Sequence, residues 1–428
     1  VQGWLARSAY TLLLRLATPL YFARLWWRGR PGQREPTYRQ WWPERLGFSQ
    51  VRAEPGRLWL HAVSLGETRA AAPLIDALRA QRPGLRLLLT HGTATGREAG
   101  AELLREGDAQ AWLPYDTPGA VRRFLRHHRP AAGVLMETEV WPNLLFEAQA
   151  LGLPMVLANA RLSERSHAKG QRLSALMHPA VASFAQVLAQ TDDDADRLRA
   201  SGAPHVQVLG NLKYDITPEP DLLARGSAWR ALLARPMVLG AVTRDGEEAL
   251  LLEAWCQLPS PRPLLCVVPR HPQRFDEVAA LVRRARLTLA RRSAWAGSPP
   301  PEAVAADVWL GDSLGEMPAW YAAADVALLG GSFAPLGGQN LIEAAACGCP
   351  LVMGPHTFNF AQAAEQALAA GAALREPDMA AAVRRCVALG QGAERERMSE
   401  QALAFAARHR GAAGRMARQV LTLVPQQG

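Results

Sequence analysis

Residues 329–353 read LGGSFAPLGGQNLIEAAACGCPLVM, and no other stretch narrows the possible folds as far. An apolar run, Val326 to Leu329, ends in Gly330, Gly331 and Ser332. A loop follows with a second glycine pair, Gly337 and Gly338, and Gln339-Asn340 then opens a helical pattern that carries Glu343 on its first turn. Glycine lets the backbone approach a phosphate, and a helix N-terminus offers unpaired N–H groups and the positive end of the helix dipole. A carboxylate one turn into the helix can accept hydrogen bonds from ribose hydroxyls. The pattern suits a nucleotide-activated substrate; without a function it is a tight strand-to-helix turn with a glycine cap.

The same alternation runs through the chain. Leu58 to Val63, Leu85 to Thr90, and residues 110–113, 132–136, 154–158 and 186–190 read as short strands separated by helical patterns. Periodicity fades from Asn211 to Gly226, around Pro218 and Pro220. It resumes with strands at Pro236 to Leu239, Leu264 to Val268, Asp307 to Leu310, Val326 to Leu329 and Pro350 to Met353. Strands alternating with helices of this length make parallel, doubly wound sheets, which bind ligands at the carboxyl ends of their strands. At 428 residues the chain can build two such domains, each with its own core. Two α/β halves with the nucleotide signature in the second describe the GT-B architecture: two Rossmann-like domains facing across a cleft that holds the active site. The predicted division is a membrane-associating helix and basic collar (1–35), an acceptor-binding domain (36–215), a linker (216–230), a nucleotide-sugar-binding domain (231–396) and a C-terminal helix (397–428, helical over about 397–422) returning to the first domain.

Charge is unevenly placed. Residues 1–60 hold ten Arg, no Lys and three Glu, so a net +7 of the chain's +9 lies there. Within it, Trp4 to Trp27 is mostly apolar but interrupted by Arg7, Arg15 and Arg24. A membrane-spanning helix wants about 20 uninterrupted apolar residues and tolerates central arginine poorly, and no small-residue cleavage site marks a secretory signal. An amphipathic helix lying in the membrane interface fits better, its arginines snorkelling to anionic phosphates. The Arg28–Arg30 and Arg34–Arg45 stretches continue a basic collar; the plain alternative is a core helix of the first domain. The interleaving of basic residues with long aliphatics argues against nucleic acid as the partner. Five cysteines (256, 266, 347, 349 and 386) lack the spacing of a disulfide framework or zinc site and read as reduced.

Residue usage adds a second signal. The chain has 46 Arg but only two Lys, Lys169 and Lys213, and only five Asn, at 143, 159, 211, 340 and 359. In so arginine-biased a sequence a retained lysine suggests a need for a compact ammonium. All seven fall in or beside segments that look functional on other grounds.

Candidate catalytic groups follow strands. In HAVSLGE (61–67), Glu67 sits at a strand-to-helix turn, where a carboxylate can act as general base on a sugar hydroxyl or simply complement the helix dipole. In METEVWPN (136–143), Glu137 and Glu139 follow a buried strand directly, and Glu137 is the second catalytic candidate. Ser64, Gly66, Thr93, Glu139, Asn143 and Arg161 are the acceptor-side candidates. On the nucleotide side, Arg270 is a natural bidentate phosphate clamp, with His271 beside it. GDSLGEM (311–317), through Gly315, Glu316 and Met317, could frame a base, and Gly331, Ser332, Asn340 and Glu343 belong to the opening signature. Lys213 in GNLKYD could contact the leaving phosphate or a substrate carboxylate. Asp192-Asp193-Asp194 resembles a metal-binding acidic motif but reads better as a helix N-cap. No metal or cofactor is expected, so Arg270, Lys213 and the glycine-rich backbone would balance the departing charge.

In order along the chain, HAVSLGE, THGTATG, YDTPGAVRRFL, METEVWPN, NARLSERS, GNLKYD, VPRHPQRF, GDSLGEM and GGSFAPLGGQNLIEA resemble the blocks of the 3-deoxy-D-manno-octulosonic acid (Kdo) transferases of Gram-negative bacteria, over roughly residues 4 to 420. The resemblance implies an inverting, metal-independent transfer of Kdo from CMP-Kdo to a lipid A precursor, on the cytoplasmic face of the inner membrane. It puts the catalytic base at Glu67. His91, Ala94 and Gln339 depart from the family pattern without touching the reaction type. The basic amphipathic N-terminus independently suits a phosphorylated lipid and an anionic membrane. A nucleotide-sugar epimerase of the same architecture, or a non-catalytic membrane-surface protein, are the alternatives.

Overall fold

The computed structural model describes residues 2–30, 35–390 and 392–425; Arg34, expected in the basic collar, lies outside them. The chain forms two compact units. The first runs to Asp215 and takes in the residues from Gly411 on; the second spans Ile216–Arg410.

The first unit is built on seven parallel strands: β1 (Leu58–His61), β2 (Leu87–His91), β3 (Ala109–Trp112), β4 (Ala132–Met136), β5 (Met155–Ala160), β6 (Gln186–Ala189) and β7 (Val206–Val208). Their order is β3-β2-β1-β4-β5-β6-β7. The inner strands are short apolar runs buried on both faces, as helices on both sides of a parallel sheet require. The strand order reverses between β1 and β4, which pair in register Leu58↔Ala132 to His61↔Leu135. Loops leaving these two strands therefore diverge at their carboxyl ends and open a ligand crevice.

The second unit repeats the plan with β8 (Met237–Thr243), β9 (Leu264–Pro269), β10 (Leu289–Arg291), β11 (Val308–Leu310), β12 (Val326–Leu329), β13 (Leu351–Met353) and β14 (Ala373–Arg375). The order is β10-β11-β9-β8-β12-β13-β14, with the switch point between β8 and β12. Each sheet has an aliphatic core of its own. The five cysteines are all free.

Two expectations are corrected. Residues 216–230 are no slack linker. Pro220 opens a helix, Pro220–Ala231, because its fixed φ suits the first helical position. That helix packs tightly on Met317–Ala323: a Cβ added at Gly226 would lie 2.1 Å from the Ala319 carbonyl oxygen. The single helix expected over 397–422 is two, Ala393–His409 and Ala412–Leu421. Arg410 is extended and Gly411 adopts φ +80°, breaking the run, and the Asp215 carboxylate accepts the Gly411 and Ala413 N–H groups at 2.8 and 2.7 Å. Ala412, Met416 and Val420 then bury themselves in the first unit's core.

The N-terminal helix, Gln2–Arg28, packs on the first unit with its amphipathicity turned outward. Arg7, Tyr10 and Thr11 face the protein, while Leu5, Leu12, Leu13, Leu16, Leu20, Trp26 and Trp27 are exposed. Among the described residues no helix is long and apolar enough to cross a membrane.

Candidate functional site

At the end of β1, Ser64 caps the helix Leu65–Gln81 by accepting the Glu67 N–H, and Glu67 returns the contact. Its Oε2 accepts the Val63 N–H at 2.8 Å and its Oε1 the Ser64 hydroxyl at 3.3 Å. This reciprocal arrangement resembles a capping box, with the carboxylate reaching the N–H one residue before the cap, and it fixes the carboxylate at two points. Gly66, beside it, is exposed with open space around its α-carbon. Thr93 closes the same corner, capping the helix Ala94–Ala101 and donating its hydroxyl to the Val63 carbonyl at 3.1 Å. Burial raises the Glu67 pKa and the Glu137 charge adds to it, while the Val63 N–H, the Ser64 hydroxyl and Lys213 pull it back.

Glu139 is the neighbouring carboxylate. Burial first, then the Glu67 charge, pushes it up to about 7, against the Trp141 indole N–H that it accepts at 2.7 Å. Two half-buried carboxylates whose charges repel are the environment that tunes a carboxylate toward proton transfer near neutrality.

Glu137 is placed differently from its expected role. It leaves β4 with φ +56°, a strained value for a residue with a side chain. Its buried carboxylate meets Lys213 Nζ at 3.0 Å and Arg161 Nε at 3.1 Å. Held between two cations, Glu137 is a counter-ion that orients them rather than a free proton acceptor. Lys213 is in turn positioned by asparagines: Asn211 Oδ1 accepts its N–H at 2.9 Å, and Asn159 Oδ1 accepts the preceding N–H, from Leu212, at 3.0 Å. Asn159 and Asn211 stood out in the sequence as rare residues within NARLSERS and GNLKYD, with no role assigned; their task is to fix the one lysine at this corner.

Asn143 needs a correction. It is wholly buried, its Oδ1 accepting from Arg7 Nε at 3.0 Å and its Nδ2 donating to the Asp116 carbonyl at 2.8 Å, so it has no surface left for an acceptor. Asp116, which the sequence did not single out, receives the Tyr10 hydroxyl at 2.8 Å and the N–H groups of Asn143 and Leu144 at 3.1 and 2.7 Å. Arg7 pairs with Glu147 at 2.9 Å. Arg7, expected to snorkel toward lipid, is thus an inward tether of the N-terminal helix.

In the second unit the glycine signature is also used in an unexpected way. The N–H of Gly331 is taken by the buried Glu247 carboxylate at 2.7 Å. Ser332 is fully buried, its hydroxyl donating to the Leu329 carbonyl and accepting the Gly354 N–H at 2.9 Å. Neither is available to a phosphate. Downstream, Asn340 caps its helix by accepting the Ile342 N–H at 3.0 Å. Glu343 follows on the first turn, raised in pKa by burial and lowered by Arg270. Arg270 leaves β9 exposed, its N–H donated to the Thr243 carbonyl at 2.9 Å, and its guanidinium has no hydrogen bond or ion pair among the described residues. His271 is exposed next to it. By contrast Arg274, from the same motif, is locked onto buried Glu248 at 2.8 Å.

Gly315, with φ +79°, makes the turn before Glu316. Glu316 is committed to Arg292 and Arg225, at 2.7 and 2.8 Å, and to the Ser313 hydroxyl. Burial opposes ionisation there, but these partners hold its carboxyl below the usual range. The loop can therefore offer backbone groups and half-buried Met317 to a ligand, with the Glu316 side chain spent on shaping it. Thr191 caps the helix Asp192–Ala200, and Asp194 accepts the Leu162 N–H at 2.9 Å while pairing with Arg197. No group of three or more His, Cys, Asp or Glu among the described residues is arranged to hold a metal ion.

Comparison with known proteins follows this geometry. Residues 40–216 match the family described as 3-deoxy-D-manno-octulosonic-acid transferase (kdotransferase). The 3-deoxy-D-manno-octulosonic acid transferase of Bordetella pertussis is 49% identical over 425 residues, covering 96% of this chain and 98% of its own. That of Haemophilus influenzae is 33% identical over 420 residues, covering 96% and 97%. Among solved structures, Anabaena HepE in complex with UDP aligns with a TM-score of 0.52 at 14% identity, covering 86% of this chain and 99% of that one. A putative UDP-N-acetylglucosamine 2-epimerase from Listeria monocytogenes gives 0.51 at 12%, covering 86% and 95%. These two likenesses speak for the GT-B fold alone, which glycosyltransferases and epimerases share. Sequence identity over nearly the full length is what separates them, and by it the chain belongs to the 3-deoxy-D-manno-octulosonic acid transferase family and is a glycosyltransferase.

Proposed function

We propose that the enzyme moves Kdo from CMP-Kdo to a lipid A precursor at the cytoplasmic face of the inner membrane. The carrying observation is the Glu67 carboxylate, fixed by the Val63 N–H and the Ser64 hydroxyl and raised in pKa by burial. In the reaction an acceptor hydroxyl attacks the anomeric carbon of Kdo, and Glu67 takes its proton as the new C–O bond forms. The bond from that carbon to the phosphate oxygen breaks, and CMP leaves with inversion. Arg270 on the donor-binding unit offsets the charge on the departing phosphate, and Glu343 suits the ribose hydroxyls. Glu139, Arg161 and Lys213 line the acceptor side around Glu67. No metal or cofactor enters this scheme. Its membrane side rests on the outward-facing leucines and tryptophans of the N-terminal helix, lying in the interface with basic residues nearby.

The test is incubation with CMP-Kdo and a tetra-acylated lipid A precursor, products resolved by mass. A Kdo-bearing lipid with release of CMP is expected. Conversion of the sugar nucleotide in the absence of acceptor would favour an epimerase, and no turnover in either mixture a binding role.

A further inference from the structure

Glu247 is completely buried, yet its carboxylate accepts four backbone N–H groups. Oε2 takes those of Arg244 and Gly331 at 2.9 and 2.7 Å, and Oε1 those of Phe333 and Ala334 at 3.1 and 3.3 Å. Gly331, at φ +71°, supplies the left-handed turn of a nest, the concavity of N–H groups that in many proteins cradles a phosphate. Here the anion is the protein's own side chain. With these four donors consumed, the nest has none left for a ligand, and side chains beside it become the natural partners of a ligand's charge.

The same plug fixes Arg244. Its N–H is held by Glu247, and the preceding residue, Thr243, is anchored twice: its hydroxyl donates to Glu248 at 2.8 Å and its carbonyl accepts the Arg270 N–H at 2.9 Å. The Arg244 stem runs alongside the nest, its Cγ 3.6 Å from where a Gly331 Cβ would stand. Arg244 is half-buried, and its guanidinium makes no hydrogen bond or ion pair among the described residues. Arg244 and Arg270 thus follow the paired ends of strands β8 and β9, neither guanidinium in a hydrogen bond or ion pair among the described residues, although the Arg270 charge acts on Glu343. A guanidinium at each of two neighbouring strand ends can offer a planar fork of N–H groups to anionic oxygens.

We propose that Arg244, held in place by Glu247, is a second anion ligand for the sugar-nucleotide donor, acting beside Arg270. The inference rests on reading this unit as the donor site. CMP-Kdo carries two anionic groups, its phosphate and the carboxylate of its sugar, so two guanidiniums have work to do.

Calorimetric titration of the full-length enzyme with cytidine, CMP and CMP-Kdo tests this, comparing wild type with Arg244→Gln and Arg244→Lys. Loss of a charge-assisted contact should weaken binding about tenfold, with Lys restoring part of the loss and cytidine unaffected. A drop for CMP assigns Arg244 to the phosphate; a drop for CMP-Kdo alone assigns it to the carboxylate. Wild-type affinity of Arg244→Gln for both ligands overturns the proposal while leaving the donor reading intact. A wild-type enzyme that binds neither ligand overturns both. Glu247→Gln offers too few acceptor sites for the nest and should weaken the same ligand, CMP or CMP-Kdo, that Arg244→Gln weakens. Acetate should restore that affinity in Glu247→Gly by refilling the nest. A folded Glu247→Gln that binds both ligands like wild type would refute the positioning role; if it fails to fold, the Arg244 pair decides.

Discussion

Replacing Glu139 by Gln should stabilise the protein at alkaline pH and leave it nearly unchanged in acid. The folded state pushes this carboxyl from its ordinary 4.5 to about 7, through burial and then the Glu67 charge. A raised carboxyl contributes to stability when protonated: the contribution is complete below about 4.5 and is lost as the pH rises through 7. Above pH 7 the native state carries a half-buried ionised carboxylate facing another. The penalty is at most about 3 kcal/mol, reduced by whatever solvent screens. Gln keeps an oxygen for the Trp141 indole N–H and removes the charge. For a unit of this size, 2–3 kcal/mol corresponds to a rise in melting temperature of roughly 4–12 °C. Thermal unfolding of both proteins at pH 5 and pH 8 is the assay, and the gap between them should be several-fold larger at pH 8 than at pH 5. A gap equal at the two pH values would refute the burial-and-repulsion account of this corner.

Glu67→Gln should lower Kdo transfer by about 10²–10⁴-fold while changing stability by under about 1 kcal/mol, since the carboxamide oxygen can still accept the Val63 N–H; activity within a few-fold of wild type removes Glu67 as the base. Arg270→Ala should weaken CMP binding about tenfold or more, with Arg270→Lys recovering only part of it because a point charge cannot bind bidentately; unchanged affinity in calorimetry moves the phosphate elsewhere. Serine at Leu12, Leu13 and Leu16, which lie on the outward face of the N-terminal helix, should release the enzyme from anionic vesicles without lowering its melting temperature. Continued sedimentation with the vesicles would mean that another surface anchors it. Deleting the helix is a poorer experiment, because it strips cover from Asn143 and Asp116.

The inner strands were legible because a parallel strand covered on both faces must be an uninterrupted apolar run, and Leu87–Thr90 or Val326–Leu329 can be little else. The strands that escaped, Val206–Val208, Leu289–Arg291 and Ala373–Arg375, are three residues long and lie at or near the sheet margins, where polar residues are tolerated. Glu67 and Lys213 could be picked out because each stands at a strand or hinge end where a charge is unusual. Glu247 could not. In sequence it is the first of two acids opening a helix after Asp245-Gly246, which reads as a solvated first turn. Its work depends on Gly331, 84 positions away and brought next to it only by the pairing of β8 with β12. The asparagines were flagged by rarity, a signal that marks constraint without its kind: Asn143, Asn159, Asn211 and Asn340 all hold backbone or tether a helix.

The N-terminal helix shows why composition suggested a membrane element but gave Arg7 the wrong partners, while Arg15 and Arg24 stay exposed. An amphipathic helix on a soluble domain buries its apolar stripe; this one docks through Arg7, Tyr10 and Thr11 and leaves its leucines in the open. Burying one such side chain is worth roughly 1.5–3 kcal/mol, so half a dozen of them facing water would be a large standing penalty, and a lipid interface removes it. The docking stripe meets the protein at Asn143, two residues beyond Trp141, whose indole holds Glu139. From Glu139 through Trp141 to Asn143 the chain therefore runs, in five residues, from the carboxylate beside the proposed base to the anchor of the N-terminal helix. The proposed acceptor has its reacting hydroxyl on a sugar and its acyl chains in a bilayer. On the proposed reading, this short link between base and anchor would hold Glu67 and Glu139 at a set depth relative to the membrane surface, where that hydroxyl would emerge.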